Sequence, residues 1–60
     1  MGRYTVSTEE SMLDLVERLM VERGVVIVAR EEMFGTLIIE TNDPLMVSRI
    51  EGVLQIRVAF

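Results

Sequence analysis

The stretch Gly24–Thr41, GVVIVAREEMFGTLIIET, decides the fold. It holds two short apolar runs, Val25–Arg30 and Thr36–Thr41, separated by Glu31–Gly35. Each run is too short for a helix between its flanking breakers. Each is rich in Val, Ile or Thr, whose branched Cβ suits a pleated sheet. The pattern predicts two strands joined by a hairpin loop. Side chains alternate along a strand. Val25, Ile27 and Ala29 are therefore expected on one face, and Val26, Val28 and Arg30 on the other. In the return strand Leu37 and Ile39 oppose Thr36, Ile38 and Glu40.

Upstream of this hairpin, Arg3–Ser7 alternates polar and apolar residues and predicts a half-buried strand with Tyr4 and Val6 inward. Ser7-Thr8-Glu9-Glu10 has the spacing of a capping box, in which Ser7 caps the helix and Glu10 reaches back. The helix is expected to run to about Arg23, where Gly24 supplies a left-handed stop. Its apolar face collects Met12, Leu13, Leu15, Val16, Leu19 and Met20. Asp14 and Arg18, four apart, are expected to pair across its polar face. Downstream, Asp43 reads as an N-cap with Pro44 at the first helical position. That short helix should reach Ile50 or Glu51 and stop at Gly52. Val53–Phe60 alternates again and predicts a last strand.

The order strand, helix, strand, strand, helix, strand implies two right-handed βαβ units around the hairpin. The expected fold class is α+β: one ferredoxin-like βαββαβ sandwich over residues 1–60. It has a four-stranded antiparallel sheet with both helices on one face. The first and third strands would be central. The expected core is Tyr4, Val6, Met12, Leu15, Val16, Leu19, Ile27, Leu37, Ile39, Ile50, Leu54, Ile56 and Val58.

Composition narrows the chemistry. Sixty residues bury only about 60 % of the surface their unfolded chain exposes, so stability is marginal without reinforcement. There is no Cys and no His, so disulfides and the commonest zinc sites are excluded. No Lys is present either, so Ser7, Ser11 and Ser48 lack a His or Lys base and a nucleophilic enzyme is not expected. Glu31 and Glu32 are adjacent in a loop and read as solvated charges. Asn42-Asp43 lacks the calcium-loop pattern and reads as a cap. No cofactor or metal is expected. The net charge of −4 disfavours nucleic acid, and the third strand offers no aromatic residue to stack a base. No segment approaches the length of a membrane span, and the N-terminus lacks a basic-then-apolar leader pattern. The expected setting is cytoplasmic.

Three segments carry a family resemblance: Tyr4-Thr5-Val6, Phe34-Gly35 and Ile50-Glu51-Gly52-Val53-Leu54-Gln55-Ile56. In these the chain resembles the subtilisin propeptide family of protease inhibitors, which has the same element order at this size. The resemblance implies an inhibitor or folding chaperone of a subtilisin-like serine protease. Glu31 and Glu32 would then cap helix N-termini on the protease, and Val58, Ala59 and Phe60 would enter its cleft. Members of that family run on past the last strand and carry acidic residues there. Arg57 occupies that region here, and the sequence stops at Phe60.

The residues themselves favour a different partner. Half of the chain is hydrophobic, and Val26, Val28, Ile38 and Val53 are expected on the sheet face away from the helices. Met33 and Phe34 add apolar bulk to the hairpin loop, and both types are enriched at interfaces. These six residues are the expected protein interface. The sequence therefore points to a non-catalytic assembly module that pairs with itself, as a dimer or tetramer, through the Val25–Arg30 edge or this sheet face.

Overall fold

The computed structural model describes residues 2–59. Strand β1 (Gly2–Thr8) leads through a 3₁₀ turn at Glu10–Met12 into helix α1 (Leu13–Glu22). Strands β2 (Val26–Glu31) and β3 (Thr36–Thr41) flank a second 3₁₀ turn at Glu32–Phe34. Helix α2 (Pro44–Ser48) and strand β4 (Val53–Val58) follow. The four strands form one antiparallel sheet in the order β2-β3-β1-β4, so β1 and β3 are central.

One apolar layer joins the helices to the sheet. Val6, Leu37 and Ile39 from the central strands meet Leu13, Val16 and Met20 of α1 and Val47 of α2, with Val25 and Ile50 beside them. Tyr4, Met12, Leu19, Ile27, Met46, Val53 and Ile56 pack around this cluster. Leu13, Met20, Val25 and Val47 are buried although none was in the expected core.

Local signals hold at three turns. Asp43 caps α2 by accepting a hydrogen bond from the Met46 backbone N–H at 3.1 Å, and Pro44 opens the helix. Gly24 leaves α1 with φ 81° and the Val25 N–H returns to the Met20 carbonyl. The β2–β3 loop closes at Gly35 as expected.

The start of α1 departs from expectation. Ser7 does not cap the helix; it stays in β1, opposite Thr36 on one side and Gln55 on the other. No side-chain cap forms at Glu9 or Met12. The cause is a set of stronger claims on the backbone. Both the N–H and the hydroxyl of buried Thr8 donate to the Gly35 carbonyl, at 2.8 and 2.9 Å, and the Glu9 N–H donates to the Gly52 carbonyl. These bonds hold the chain extended past the capping-box position. The helix then begins at Leu13, and its buried stripe is Leu13, Val16 and Met20. Leu15 lies off that stripe, exposed rather than in the core.

Two β-bulges correct the expected facing of both edge strands. In β2, Ile27 opposes Ile39 but Ala29 opposes Ile38, leaving Val28 as the extra residue. A bulge sets two residues against one and reverses the alternation beyond it. Arg30 therefore opposes Leu37 on the helix side, not the outer side, and Ala29 joins Val26 on the outer face. In β4, Gln55 opposes Ser7 while Val53 opposes Thr8, so Leu54 is the extra residue. Val53, expected on the outer face, packs against the core instead. Leu54, expected inside, is 64 % exposed. Val58 is also 60 % exposed, although it sits beside Tyr4 on the helix side. The reason is length: five-residue α2 spans about 7.5 Å, whereas a six-residue strand spans about 20 Å.

Candidate interaction surface

The outer face of the sheet is laid out in three rows by the strand register. The first row runs Val26, Glu40, Arg3 from β2 to β1, and Ala59 continues it by donating its N–H to the Arg3 carbonyl. The second runs Ala29, Ile38, Thr5, Arg57, with Val28 bulging beside Ala29. The third runs Glu31, Thr36, Ser7, Gln55. Among the described residues no helix crosses this side. Its apolar centre is Val26, Val28, Ala29 and Ile38, displaced toward β2, and both Val26 and Val28 are exposed. Arg3 and Glu40 form an ion pair at 3.1 Å within their row. Glu31 and Arg57 lie on opposite edge strands, and neither has an ion-pair partner among the described residues.

The hairpin tip is a second exposed feature. Met33 is 85 % and Phe34 73 % exposed, so Phe34 does not fold back on the core. Glu31 and Glu32 flank them, also exposed. Of the residues implied by the propeptide resemblance, Val58 is exposed, Ala59 is hydrogen-bonded to β1, and Phe60 lies outside the described residues.

On the helix side, Arg30 gathers three carboxylates. Its Nη2 donates to Asp14 at 2.7 Å and sits 3.2 Å from Glu32, while Nη1 donates to Glu17. Asp14 thus pairs across elements with Arg30, where Arg18 was the expected partner. The hydrogen bonds to Asp14 and then Glu17 raise the Arg30 pKa further above its ordinary value, so the guanidinium stays charged. The cluster ties β2 and the start of the hairpin loop to α1. It was illegible in sequence because the bulge at Val28 turns Arg30 to this side. Arg30→Gln is expected to leave three facing carboxylates without a cation and to lower the melting temperature. Salt screens that repulsion, so the gap to the wild type should narrow between low and high ionic strength in thermal circular dichroism. An unchanged melting temperature at low salt would show that the cluster ties nothing together.

Among the described residues no cavity opens, and no group of three acidic side chains is placed to hold a metal ion. No helix there is long and apolar enough to cross a membrane. Neither a protein-family model, a curated protein nor a solved structure matches the chain. Leu45 and Leu54 are exposed apolar residues that sequence reasoning did not place on a surface, and Val58, expected in the core and implied as a protease contact by the resemblance, is exposed too. Only the β4 bulge and the shortness of α2 bring the last two outward.

Proposed function

We propose that this chain is a ferredoxin-like, non-catalytic assembly module that forms a homo-oligomer through the outer face of its sheet. The observation that carries this is the outward apolar group Val26, Val28, Ala29 and Ile38, exposed at Val26 and Val28 and half-buried at Ala29 and Ile38, on a chain small enough to be marginally stable alone. The face is preferred over the β2 edge as the contact. Both edge strands carry a bulge, and bulged edges are poor templates for pairing with another strand. Arg3 and Glu40, with Thr5, Thr36 and Arg57, give the apolar centre the polar rim that interfaces have.

Burying a Val or Ile side chain contributes roughly 1.5–3 kcal/mol. Several such residues per chain, counted twice across a two-fold contact, are comparable to the stability of so small a monomer. Association is then linked to folding, and the wild-type melting temperature should rise with protein concentration. Two-fold closure makes a dimer the first expectation, with a dimer of dimers next.

Val28→Lys tests the reading. Val28 is exposed in the single chain, so an ammonium there is solvated in the monomer and desolvated only in the oligomer. Sedimentation across a wide concentration range should show wild-type oligomers and a Val28→Lys monomer whose melting temperature no longer depends on concentration. A wild type that is monomeric at every concentration, with a constant melting temperature, would refute assembly through this face.

A further inference from the structure

The charges on the outer face specify how two copies meet. We propose that the homodimer is a face-to-face pair whose two-fold axis lies between the sheets, parallel to the strands. Each β2 then lies over the partner's β4, and each β3 over the partner's β1. The inference rests on assembly through this face and adds its orientation and register.

Among the described residues, Glu31 and Arg57 have no ion-pair partner. Glu31 opposes Thr36 on β2 and Arg57 opposes Thr5 on β4, so both belong to the outer face. Three strand spacings, about 14 Å, separate β2 from β4 within one sheet, too far for the two to pair. A two-fold axis parallel to the strands exchanges left and right but keeps the rows in register. It brings Arg57 over the partner's Val28 and Ala29, two residues along the strand from Glu31, about 7 Å. The long Arg57 side chain covers that distance while its stem lies on the apolar centre. The contact occurs twice, once at each side of the interface.

The same axis treats the Arg3–Glu40 pair consistently. These residues face each other across the central strands in one row. With β3 over the partner's β1, each Glu40 lies over the partner's Arg3, and the two ion pairs stack with opposite signs in contact. Ile38 lies over the partner's Thr5. A two-fold axis perpendicular to the strands gives a poorer match. It sets Arg57 over the partner's Arg57, moves the Arg3–Glu40 row over Ser7 and Thr36, and leaves Glu31 over Val26. Like charges in contact oppose association.

Size is compatible with this occupant. A small specific interface buries roughly 600–800 Å² per partner, which is about a sixth to a fifth of the 3925 Å² surface of this chain. A broad face of a two-layer fold is of that order, so a second copy covers it without any further chain.

A charge-reversal series tests the register. Arg57→Glu opposes the partner's Glu31 with a like charge at both symmetric contacts, and the dimer dissociation constant should rise about tenfold or more. Glu31→Arg should do the same. The double variant Arg57→Glu/Glu31→Arg restores opposite charges at both contacts and should return the constant to within about threefold of wild type. An equimolar mixture of the two single variants should form heterodimers more tightly than either forms homodimers. All four proteins are compared by sedimentation at low ionic strength, with far-ultraviolet circular dichroism confirming the fold. If Arg57→Glu dimerises like the wild type, or the double variant is as weak as the singles, this register is wrong while assembly through the face stands. If the wild type does not dimerise, both fall together.

Discussion

Leu37→Ala is expected to remove a large part of this protein's folding stability. Leu37 is fully buried on central strand β3, in the cluster that includes Val6, Val16 and Met20. Removing a buried Leu side chain to Ala costs roughly 2–5 kcal/mol, the upper end where the walls cannot collapse into the space. The walls here are two strands paired on both sides and a helix held by the Arg30 cluster, so collapse is limited. A domain of 60 residues is stable by only about 3–9 kcal/mol in total. Each kcal/mol shifts the melting temperature of so small a domain by roughly 4–8 °C. The expected drop is therefore tens of degrees. Leu54→Ala is the matched comparison. Sequence alternation places Leu54 in the core, whereas the β4 bulge leaves it 64 % exposed. Its truncation is expected to cost less than about 0.5 kcal/mol, as at other exposed sites. Chemical denaturation of the two variants measures both at once. Equal losses would mean that the bulge is not where the register puts it.

Gly52→Ala is expected to be the next most damaging change, and for two separable reasons. Gly52 lies between α2 and β4 with φ 96°, a backbone conformation that costs a residue with a Cβ about 1–2 kcal/mol. Its neighbours add to this. A Cβ there would lie 2.8 Å from Val16 Cγ2 and 3.1 Å from Met12 Cε, so the α1 side of the core has to move. Overpacking of that kind costs roughly 1–3 kcal/mol. Movement is further resisted because the Gly52 carbonyl accepts the Glu9 N–H at 2.9 Å, the bond that holds the entry to α1. Gly24→Ala isolates the first cause. Gly24 has φ 81° but nothing within 4 Å of its would-be Cβ. Gly24→Ala should therefore lose only the conformational part, and Gly52→Ala that part plus the packing part, about twofold more in total. Denaturation midpoints with equal slopes would give the two values. Equal losses at the two glycines would show that the approach of Gly52 to α1 contributes nothing.

Much of this architecture is written locally in the chain. The breakers Gly24 and Asp43-Pro44 punctuate the elements. Runs of branched residues make β2 and β3 strands, and the Leu37/Ile39 alternation marks the buried side of β3. These signals act over two to four residues, through backbone sterics and the alternation of a strand, so no partner is needed to read them. The order of elements then follows, and with it an antiparallel sheet carrying two helices. The apolar outer residues Val26, Val28 and Ile38 were legible for the same reason.

Tertiary structure decided what depends on partners distant in sequence. Ser7 has the spacing of a cap, but Gly35 and Gly52 carbonyls from other parts of the chain hold Thr8 and Glu9 extended, and the cap does not form. Arg30 looks like an outward residue, but one extra residue at Val28 turns it toward Asp14 and Glu17. Val53 and Leu54 exchange inside for outside by the same device in β4. A strand's alternation fixes which residues share a face only while its pairing is unbroken. A bulge is a property of two strands together, set by how each must twist and pair to cover the core. Nothing within VIVARE or VLQIRV announces it, and that is why the facing of both edge strands, and with it the composition of the outer surface, emerged only from the assembled sheet.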